Sequence, residues 1–146
     1  INSKPIPIYG NGLNIRDWLF VEDHINALLL MASEGRPGSH YCIGGSEEKS
    51  NINLCKKICD LLDELKPQKS SYSSLIKFVD DRPGHDFRYG IDSSLISKEL
   101  GWGALHEFDQ TIKETIIWYL NNQDWVNYVM RESGYKGERL GILNLL

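Results

Sequence analysis

Residues 80–92 read DDRPGHDFRYGID and stand between a strand-like segment and a helix-like segment, so their conformation decides how the two halves of the chain meet. Pro83 withdraws a backbone hydrogen-bond donor, and Gly84 opens conformations that other residues avoid. The stretch is therefore predicted to be a loop. It carries Arg82 and His85, although the chain as a whole is acidic, with 20 Asp and Glu against 16 Lys and Arg. Packing does not explain these basic groups, and we expect the loop to handle a phosphorylated ligand.

The composition is that of an ordinary globular protein of one domain's length. The chain has 146 residues, of which 41% are hydrophobic and 25% are charged, and its net charge is -4. This charge gives no general attraction to nucleic acid or anionic lipid. The longest apolar run, residues 27–32, is far shorter than the roughly 20 residues that span a bilayer, and no signal peptide opens the chain. We expect a cytoplasmic protein without nucleic-acid or membrane partners. The start at Ile1, without methionine, suggests a piece of a longer polypeptide.

Three cysteines, Cys42, Cys55 and Cys59, contain no C-x-x-C pair. This number and spacing suit neither a disulfide framework nor a zinc knuckle. A redox or metal pair at Cys55 and Cys59 is conceivable, but no second ligand pair accompanies it. We predict reduced thiols in the core or half-buried.

The pattern of apolar residues predicts a mixed α/β (α+β) domain of short strands with three or four helices. Strands are predicted at residues 6–9, 18–21, 40–43, 75–79 and 88–91. Helices are predicted to begin near Asp23, Asn53, Asp92 and Asp109, with one further helical segment around residues 125–130. This domain is expected to occupy residues 1–132. The tail at residues 133–146 ends in an apolar run and is expected to pack on the domain or on a partner, such as another copy of the chain.

Standard signatures of cofactor and metal sites do not occur in the sequence. There is no Gly-x-Gly-x-x-Gly after a strand, no Walker loop, no G-x-S-x-G elbow and no Cys/His cluster. The chain by itself is therefore predicted to hold neither NAD nor a metal.

Two arginines on loops beside short strands are the strongest binding candidates. Arg16 precedes the predicted strand at 18–21, and Arg82 lies in the Pro-Gly loop. A guanidinium pairs bidentately with phosphate, and each charge-assisted hydrogen bond contributes about 1.5–3 kcal/mol. From spacing alone, surface ion pairs are the favoured explanation of each arginine. Under that interpretation Arg16 pairs with Asp17 or Glu22, and Arg82 with one of the neighbouring aspartates.

Histidines and other polar residues also admit two interpretations. His85 is either a ligand contact or general base, or simply the partner of a nearby carboxylate such as Asp86. Asn51 is either a ligand contact or a loop cap, and Tyr9 is most simply a strand-face aromatic. His24, His40 and His106 are assigned structural roles.

Several longer motifs occur in a fixed order along the chain. They are KPIPIYG at 4–10, RDWLFVEDH at 16–24, DRPGHD at 81–86, LGW at 100–102 and WYL at 118–120. Taken together, these motifs resemble those of dTDP-glucose 4,6-dehydratases, which are extended short-chain dehydrogenases. The similarity runs from Lys4 to about Asn127 and is confined to the C-terminal portion of the family.

The resemblance implies the smaller, substrate-binding lobe of a two-lobed enzyme, without its Rossmann domain. In that family the Rossmann domain holds NAD, a Tyr-x-x-x-Lys pair drives oxidation at C4 of the sugar, and an Asp-Glu pair assists loss of water. None of these catalytic residues has a counterpart here, so no catalytic, NAD or metal residue is assigned to this chain. The full-length enzyme is expected to use NAD and to form a homodimer.

Seven positions are carried over from the family as substrate contacts. Lys4, Pro7 and Tyr9 match the segment along the base, Arg16 and Arg82 match the arginines at the diphosphate, Asn51 matches an asparagine near the nucleoside, and His85 matches a histidine near the phosphate and sugar. The expected ligand is a dTDP-sugar or a related nucleotide diphosphate sugar.

Departures from the family pattern affect fine specificity more than ligand class. Cys42 stands where asparagine is usual, Phe20 where tyrosine is common and Phe87 where arginine is common. Two alternatives stay open at this stage. One is the lobe of another nucleotide-sugar epimerase, decarboxylase or dehydratase, and the other is a non-catalytic module that binds nucleotides or proteins.

Overall fold

The computed structural model describes residues 1–134 and shows a mixed α/β arrangement of short strands and five helices. The strands are β1 (Ile6–Tyr9), β2 (Ile15–Asp17), β3 (Glu48–Ser50) and β4 (Ile76–Val79). The helices are α1 (Val21–Glu34), α2 (Asn51–Leu65), α3 (Ser94–Leu100), α4 (Phe108–Asn121) and α5 (Gln123–Ser133), and a 3₁₀ turn covers Tyr72–Leu75. The predicted fold class is confirmed. The described residues contain five helices where three or four were expected, because the further helical segment predicted around residues 125–130 is a separate helix.

Two small sheets bring distant parts of the chain together. β1 pairs with β4 in parallel, with Ile6 opposite Ile76 and Tyr9 opposite Val79. β2 pairs antiparallel with β3, and Ile15 also forms an isolated parallel bridge. Since parallel neighbours end at the same edge, the loop that leaves β4 starts beside the end of β1.

The core on one side joins α1 to α3. Ala27 and Ile96 are fully buried, and Trp102 is 7% exposed. The apolar residues Ile25 and Leu29 of α1 are 47% and 64% exposed. The apolar residues of this segment correctly indicated a helix. Within residues 1–134, however, other residues cover only the side of α1 that carries Ala27.

Helix α2 is amphipathic, as its sequence predicts. The side chain of Ser50 caps it by accepting a hydrogen bond from the backbone N–H of Asn53 at 3.4 Å, so the helix begins at Asn51 and not after Asn53. Leu54 and Leu61 are buried, as expected from the predicted apolar stripe.

Three predicted strands are wrong. Residues 18–20 are irregular, and Val21 already belongs to α1, for which Phe20 is the N-cap. Residues 40–43 form no strand, and residues 88–91 contribute only the bridge of Arg88 to Ile15. β-Branched and aromatic residues give strand propensity, but a strand exists only where a neighbouring strand takes its hydrogen bonds.

Asp23 does not cap α1. It lies in the first turn at 1% exposure, where its carboxylate accepts hydrogen bonds from the backbone N–H of His106 at 3.3 Å and from the Nδ1 atom of that residue at 2.8 Å. The ring of His106 also meets Phe20 edge-on. The expected structural role of His106 is thus a link between α1 and the start of α4.

The three cysteines are free, and they differ in exposure. Cys59 is buried and Cys55 is half-buried, as predicted, whereas Cys42 is exposed. The prediction of a sheltered thiol is wrong for Cys42 because its segment is not part of a sheet.

The C-terminal part of the described chain is helical. Gly101 ends α3 and Gly134 ends α5, both in the left-handed conformation. The predicted packing of the tail concerns residues from 135 onward, which lie outside the part of the chain that the structure describes. No helix among residues 1–134 is long and apolar enough to cross a membrane.

Candidate functional site

The Pro-Gly loop follows β4 directly and sits against the end of β1. The N–H of Gly10 donates to the carbonyl of Val79 at 2.9 Å, which holds the two strand ends together. Gly84 has a φ of +66°, a conformation that glycine adopts without strain. The predicted loop is present, and its position beside Tyr9 was not evident from the sequence.

His85 is held by a carboxylate and an aromatic ring. Its Nδ1 atom lies 2.6 Å from Asp81 Oδ1, and its side chain is only 4% exposed. The Tyr9 ring meets it edge-on, with the ring centroids 5.9 Å apart. The sequence suggested Asp86 as the carboxylate partner, and the structure gives that role to Asp81.

Asp81 organises the start of the loop. Its Oδ1 atom also accepts a hydrogen bond from the backbone N–H of Arg82 at 2.8 Å. The hydrogen bond from His85, supported by the backbone bond and by the charges of His85 and Arg82, holds the pKa of the Asp81 carboxyl below its usual range. Asp81 therefore stays ionised and keeps His85 in one orientation.

The Arg82 guanidinium lies over the ring of Tyr9, with its Cζ atom 5.9 Å from the ring centroid. A guanidinium stacked on an aromatic face keeps N–H donors free at its edge. Tyr9, Arg82 and His85, which the family resemblance selected separately, thus form one contiguous cluster.

Arg16 is anchored by backbone oxygens and an aromatic ring. It donates to the carbonyl of Ile15 at 2.6 Å and to the carbonyl of Asp86 at 3.0 Å. Its Cζ atom lies 4.4 Å from the centroid of the Tyr89 ring. The ion pairs with Asp17 or Glu22 that the sequence left open are not formed within residues 1–134.

Tyr89 connects the two arginines electrostatically. Its hydroxyl donates a hydrogen bond to the Asp86 carboxylate, and this bond, with the charge of Asp86 and partial burial, raises the pKa of the Tyr89 phenol. The positive charges of Arg16 and Arg82 both oppose that rise. Arg82 belongs to the Pro-Gly loop, and Arg16 is bonded to the Asp86 carbonyl of the same loop, so one loop holds both guanidinium groups, as a diphosphate clamp requires.

The second arginine of the loop, Arg88, is paired elsewhere. Arg88 donates to both carboxylate oxygens of Glu48, from Nε at 2.7 Å and from Nη2. These bonds hold the pKa of Glu48 below its usual range and raise that of Arg88. Arg88 thus ties the loop to β3.

Asn51 reaches the same region through the first turn of α2. Its backbone N–H donates to the carbonyl of Asn14 at 3.0 Å, and the next N–H, of Ile52, donates to the carbonyl of Gly12 at 2.9 Å. Asn14 is 5% exposed, and its side-chain Nδ2 donates to the carbonyl of Asp86 at 3.3 Å. The start of α2 is therefore joined to the Pro-Gly loop.

Lys4 and Pro7 are less tightly placed. Lys4 is exposed and precedes β1, and Pro7 is an exposed residue of β1 opposite Lys77. The structure thus groups five of the seven predicted residues around the loop and leaves Lys4 and Pro7 along the strand that leads to it.

Four residues of the site were not among the predicted contacts. They are Asn14, Asp81, Asp86 and Tyr89. Asp81 and Asp86 lie inside the DRPGHD motif, and Asp86 was considered only as a partner of His85. Asn14 and Tyr89 lie outside the matching motifs, and their partners Asp86 and Arg16 come from distant parts of the sequence.

Two cavities among the described residues are lined by neither Arg16 nor Arg82. One of about 660 Å³ is lined by aromatic residues of α4 and α5, including Trp118 and Trp125, and by residues 18–22. The other, of about 600 Å³, lies between Phe87 and Lys49.

Comparison with known proteins places the chain in a family. The sequence model of the family described as GDP-mannose 4,6 dehydratase matches residues 1–115, and the chain belongs to that family. Within it, the chain is similar to dTDP-glucose 4,6-dehydratases, as its motifs predicted. A protein named "Probable dTDP-glucose 4,6-dehydratase" from Sinorhizobium fredii is 52% identical over 143 residues, which are 98% of this chain and 41% of that protein.

Solved structures agree in fold. The dTDP-glucose 4,6-dehydratase of Bacillus anthracis, solved in complex with NAD, is 38% identical with a TM-score of 0.73 over 84% of this chain and 37% of its own. DesIV, the dTDP-glucose 4,6-dehydratase of Streptomyces venezuelae, solved with NAD and TYD bound, is 34% identical with a TM-score of 0.76 over 85% of this chain and 36% of its own. The described fold corresponds to the C-terminal part of such dehydratases.

Proposed function

We propose that this chain binds the nucleotide diphosphate of dTDP-glucose, and that the whole protein is an NAD-dependent dTDP-glucose 4,6-dehydratase. That enzyme, a lyase, converts dTDP-glucose to dTDP-4-keto-6-deoxyglucose and water. The observation that carries the proposal is that Arg16 is bonded to the carbonyl of Asp86, in the same loop that carries Arg82, whose guanidinium lies over the Tyr9 ring. The 52% identity to a protein of that name supports it.

In this proposal the two guanidinium groups bind the diphosphate from two sides. Backbone carbonyls bind part of the Arg16 guanidinium, and the Arg82 guanidinium lies over the Tyr9 ring. Each guanidinium therefore keeps N–H groups that can donate to phosphate oxygens. His85, fixed by Asp81, contacts the phosphate and sugar end.

The nucleoside is assigned to the remaining predicted residues. Lys4, Pro7 and Tyr9 follow β1 along the base, and Asn51 meets the nucleoside from the first turn of α2. Because contacts along a strand use backbone groups, this part of the site specifies the base weakly.

We assign NAD, the catalytic residues and the contacts of a homodimer to sequence beyond this chain, which spans 41% of its relative's length. Residues 1–146 contain no glycine-rich dinucleotide motif, and so do not fit NAD by themselves. The chain alone is proposed to be catalytically inactive, and the whole protein to work in the cytoplasm.

A second candidate is a relative that uses another nucleotide. The family is described by a GDP-sugar enzyme, and the weakly specified base contacts would admit other bases. A calorimetric ranking of dTDP, UDP and GDP separates the two, because the main proposal requires dTDP to bind most tightly.

The direct test is titration of the purified chain with dTDP. Arg82→Ala should weaken binding at least tenfold, since a charge-assisted hydrogen bond contributes about 1.5–3 kcal/mol and 1.4 kcal/mol is a factor of ten. Arg36→Ala is the matched control, because Arg36 is paired with Glu99 away from the loop. Equal affinity in wild type and Arg82→Ala, or no binding by wild type, would overturn the proposal.

A further inference from the structure

Asn14 is a buried polar residue at the meeting point of three segments. It is 5% exposed in the turn between β1 and β2. Its side-chain Nδ2 donates to the carbonyl of Asp86 at 3.3 Å, while its backbone carbonyl accepts from the N–H of Asn51 at 3.0 Å. Asn14 therefore touches the Pro-Gly loop with its side chain and the start of α2 with its backbone.

The backbone carbonyl of Asp86 accepts two hydrogen bonds at once. Besides Asn14, it accepts the hydrogen bond from the Nη2 atom of Arg16 at 3.0 Å. A carbonyl oxygen has two lone pairs, so these donors saturate it. The atom that fixes the Arg16 guanidinium is thus itself fixed by Asn14.

We propose that Asn14 is a positioning residue of the diphosphate clamp, acting through the Asp86 carbonyl on Arg16 and through its own carbonyl on the α2 turn that carries Asn51. The inference rests on the proposed function, because it assumes that Arg16 binds phosphate. Asn14 itself does not touch the ligand.

The consequence of losing Asn14 follows from the contacts that would be left. The loop would still be tied to β2 by the N–H of Ile15 to the carbonyl of Phe87 at 2.7 Å and the N–H of Tyr89 to the carbonyl of Ile15 at 3.1 Å. The Asp86 carbonyl would lose one of its two donors. Bidentate recognition tolerates little displacement, so the clamp should weaken even though both arginines remain.

The test is dTDP titration of Asn14→Leu, which keeps a similar volume but has no donor. We expect affinity to fall about tenfold, because the Asp86 carbonyl that positions Arg16 would lose one of its two hydrogen bonds. Thr111→Val is the control, since Thr111 is another buried polar residue at 5% exposure and its hydroxyl bonds only within α4. Asn14→Ala is a second variant should the leucine prevent folding.

A second readout separates positioning from general destabilisation. Amide hydrogen exchange at Ile15 and Tyr89 should accelerate in the Asn14 variants and stay unchanged in Thr111→Val. Wild-type affinity in Asn14→Leu, or an equal loss of affinity in Thr111→Val, would overturn the inference. Failure of wild type to bind dTDP would refute the proposed function instead. Unchanged exchange in the Asn14 variants would then independently refute the link from Asn14 to the loop.

Discussion

Gly12 and Gly84 offer a matched pair for testing how the turn after β1 supports the site. Both glycines have positive φ, +73° and +66°, so alanine at either position incurs the left-handed penalty of about 1–2 kcal/mol. The two differ in surroundings. A Cβ atom on Gly12 would lie 2.7 Å from Ile8 Cγ2 and 2.9 Å from Ile52 Cβ, whereas a Cβ on Gly84 would meet nothing within 4 Å.

The expected magnitudes follow from these contacts. Gly84→Ala should lower the free energy of unfolding by about 1–2 kcal/mol. Gly12→Ala should cost a further 1–3 kcal/mol or so, because Ile8 and Ile52 must move apart to admit the methyl group. That movement also disturbs the hydrogen bond from Ile52 to the Gly12 carbonyl, and with it the α2 turn.

Urea denaturation of the two variants and wild type measures these costs. The midpoint should fall more for Gly12→Ala than for Gly84→Ala, with unchanged slopes. The dTDP affinity of Gly12→Ala should fall as well, because Asn51 lies in the disturbed turn. Equal losses of stability in the two variants would refute the argued contact between the turn and α2.

Three further predictions concern the core, a thiol and an ion pair. Ile96→Ala should destabilise the chain by about 2–5 kcal/mol in urea denaturation because Ile96 is fully buried, whereas Leu95→Ala, at a position 43% exposed, should cost far less. Comparable losses would place the core elsewhere. Burial, helped by a neighbouring thiol, raises the pKa of Cys55 to about 11, so iodoacetamide at about pH 8 should leave Cys55 unmodified in peptide mapping, and rapid labelling would contradict this. Arg88 lowers the pKa of Glu48 in the folded state. The ionised Glu48 therefore stabilises the fold at pH values above its unfolded-state pKa. This contribution is lost as the pH falls through the lower folded-state pKa. The stability difference between wild type and Arg88→Ala should therefore shrink in acid, and a constant difference would refute the pairing.

Local patterns predicted some elements and missed others, such as β2 and β3, which are too short and polar to show strand alternation. β1, β4 and α2 followed from alternation, propensity and helical spacing, and the loop after β4 followed from Pro83 and Gly84. The segment at 40–43 has strand propensity but no strand beside it. Strand propensity is a property of one segment, whereas a sheet forms only when two segments pair.

The candidate site shows the same division. Residue chemistry selected Arg16 and Arg82 because guanidinium groups suit phosphate, and the family resemblance raised them above surface ion pairs. Neither argument indicated that Tyr89 lies beneath Arg16 or that Asn14 bonds the Asp86 carbonyl. Those contacts join residues about seventy positions apart, so only the folded backbone reveals them.

The central claim is that dTDP binds at the two arginines, and nuclear magnetic resonance of the labelled chain tests it most directly. On titration with dTDP, the side-chain Nε–H signals of Arg16 and Arg82 should shift together and saturate at one concentration. The indole N–H signals of Trp118 and Trp125, which line the larger cavity, should not move. Shifts at the two tryptophans with both arginines unchanged would contradict the account.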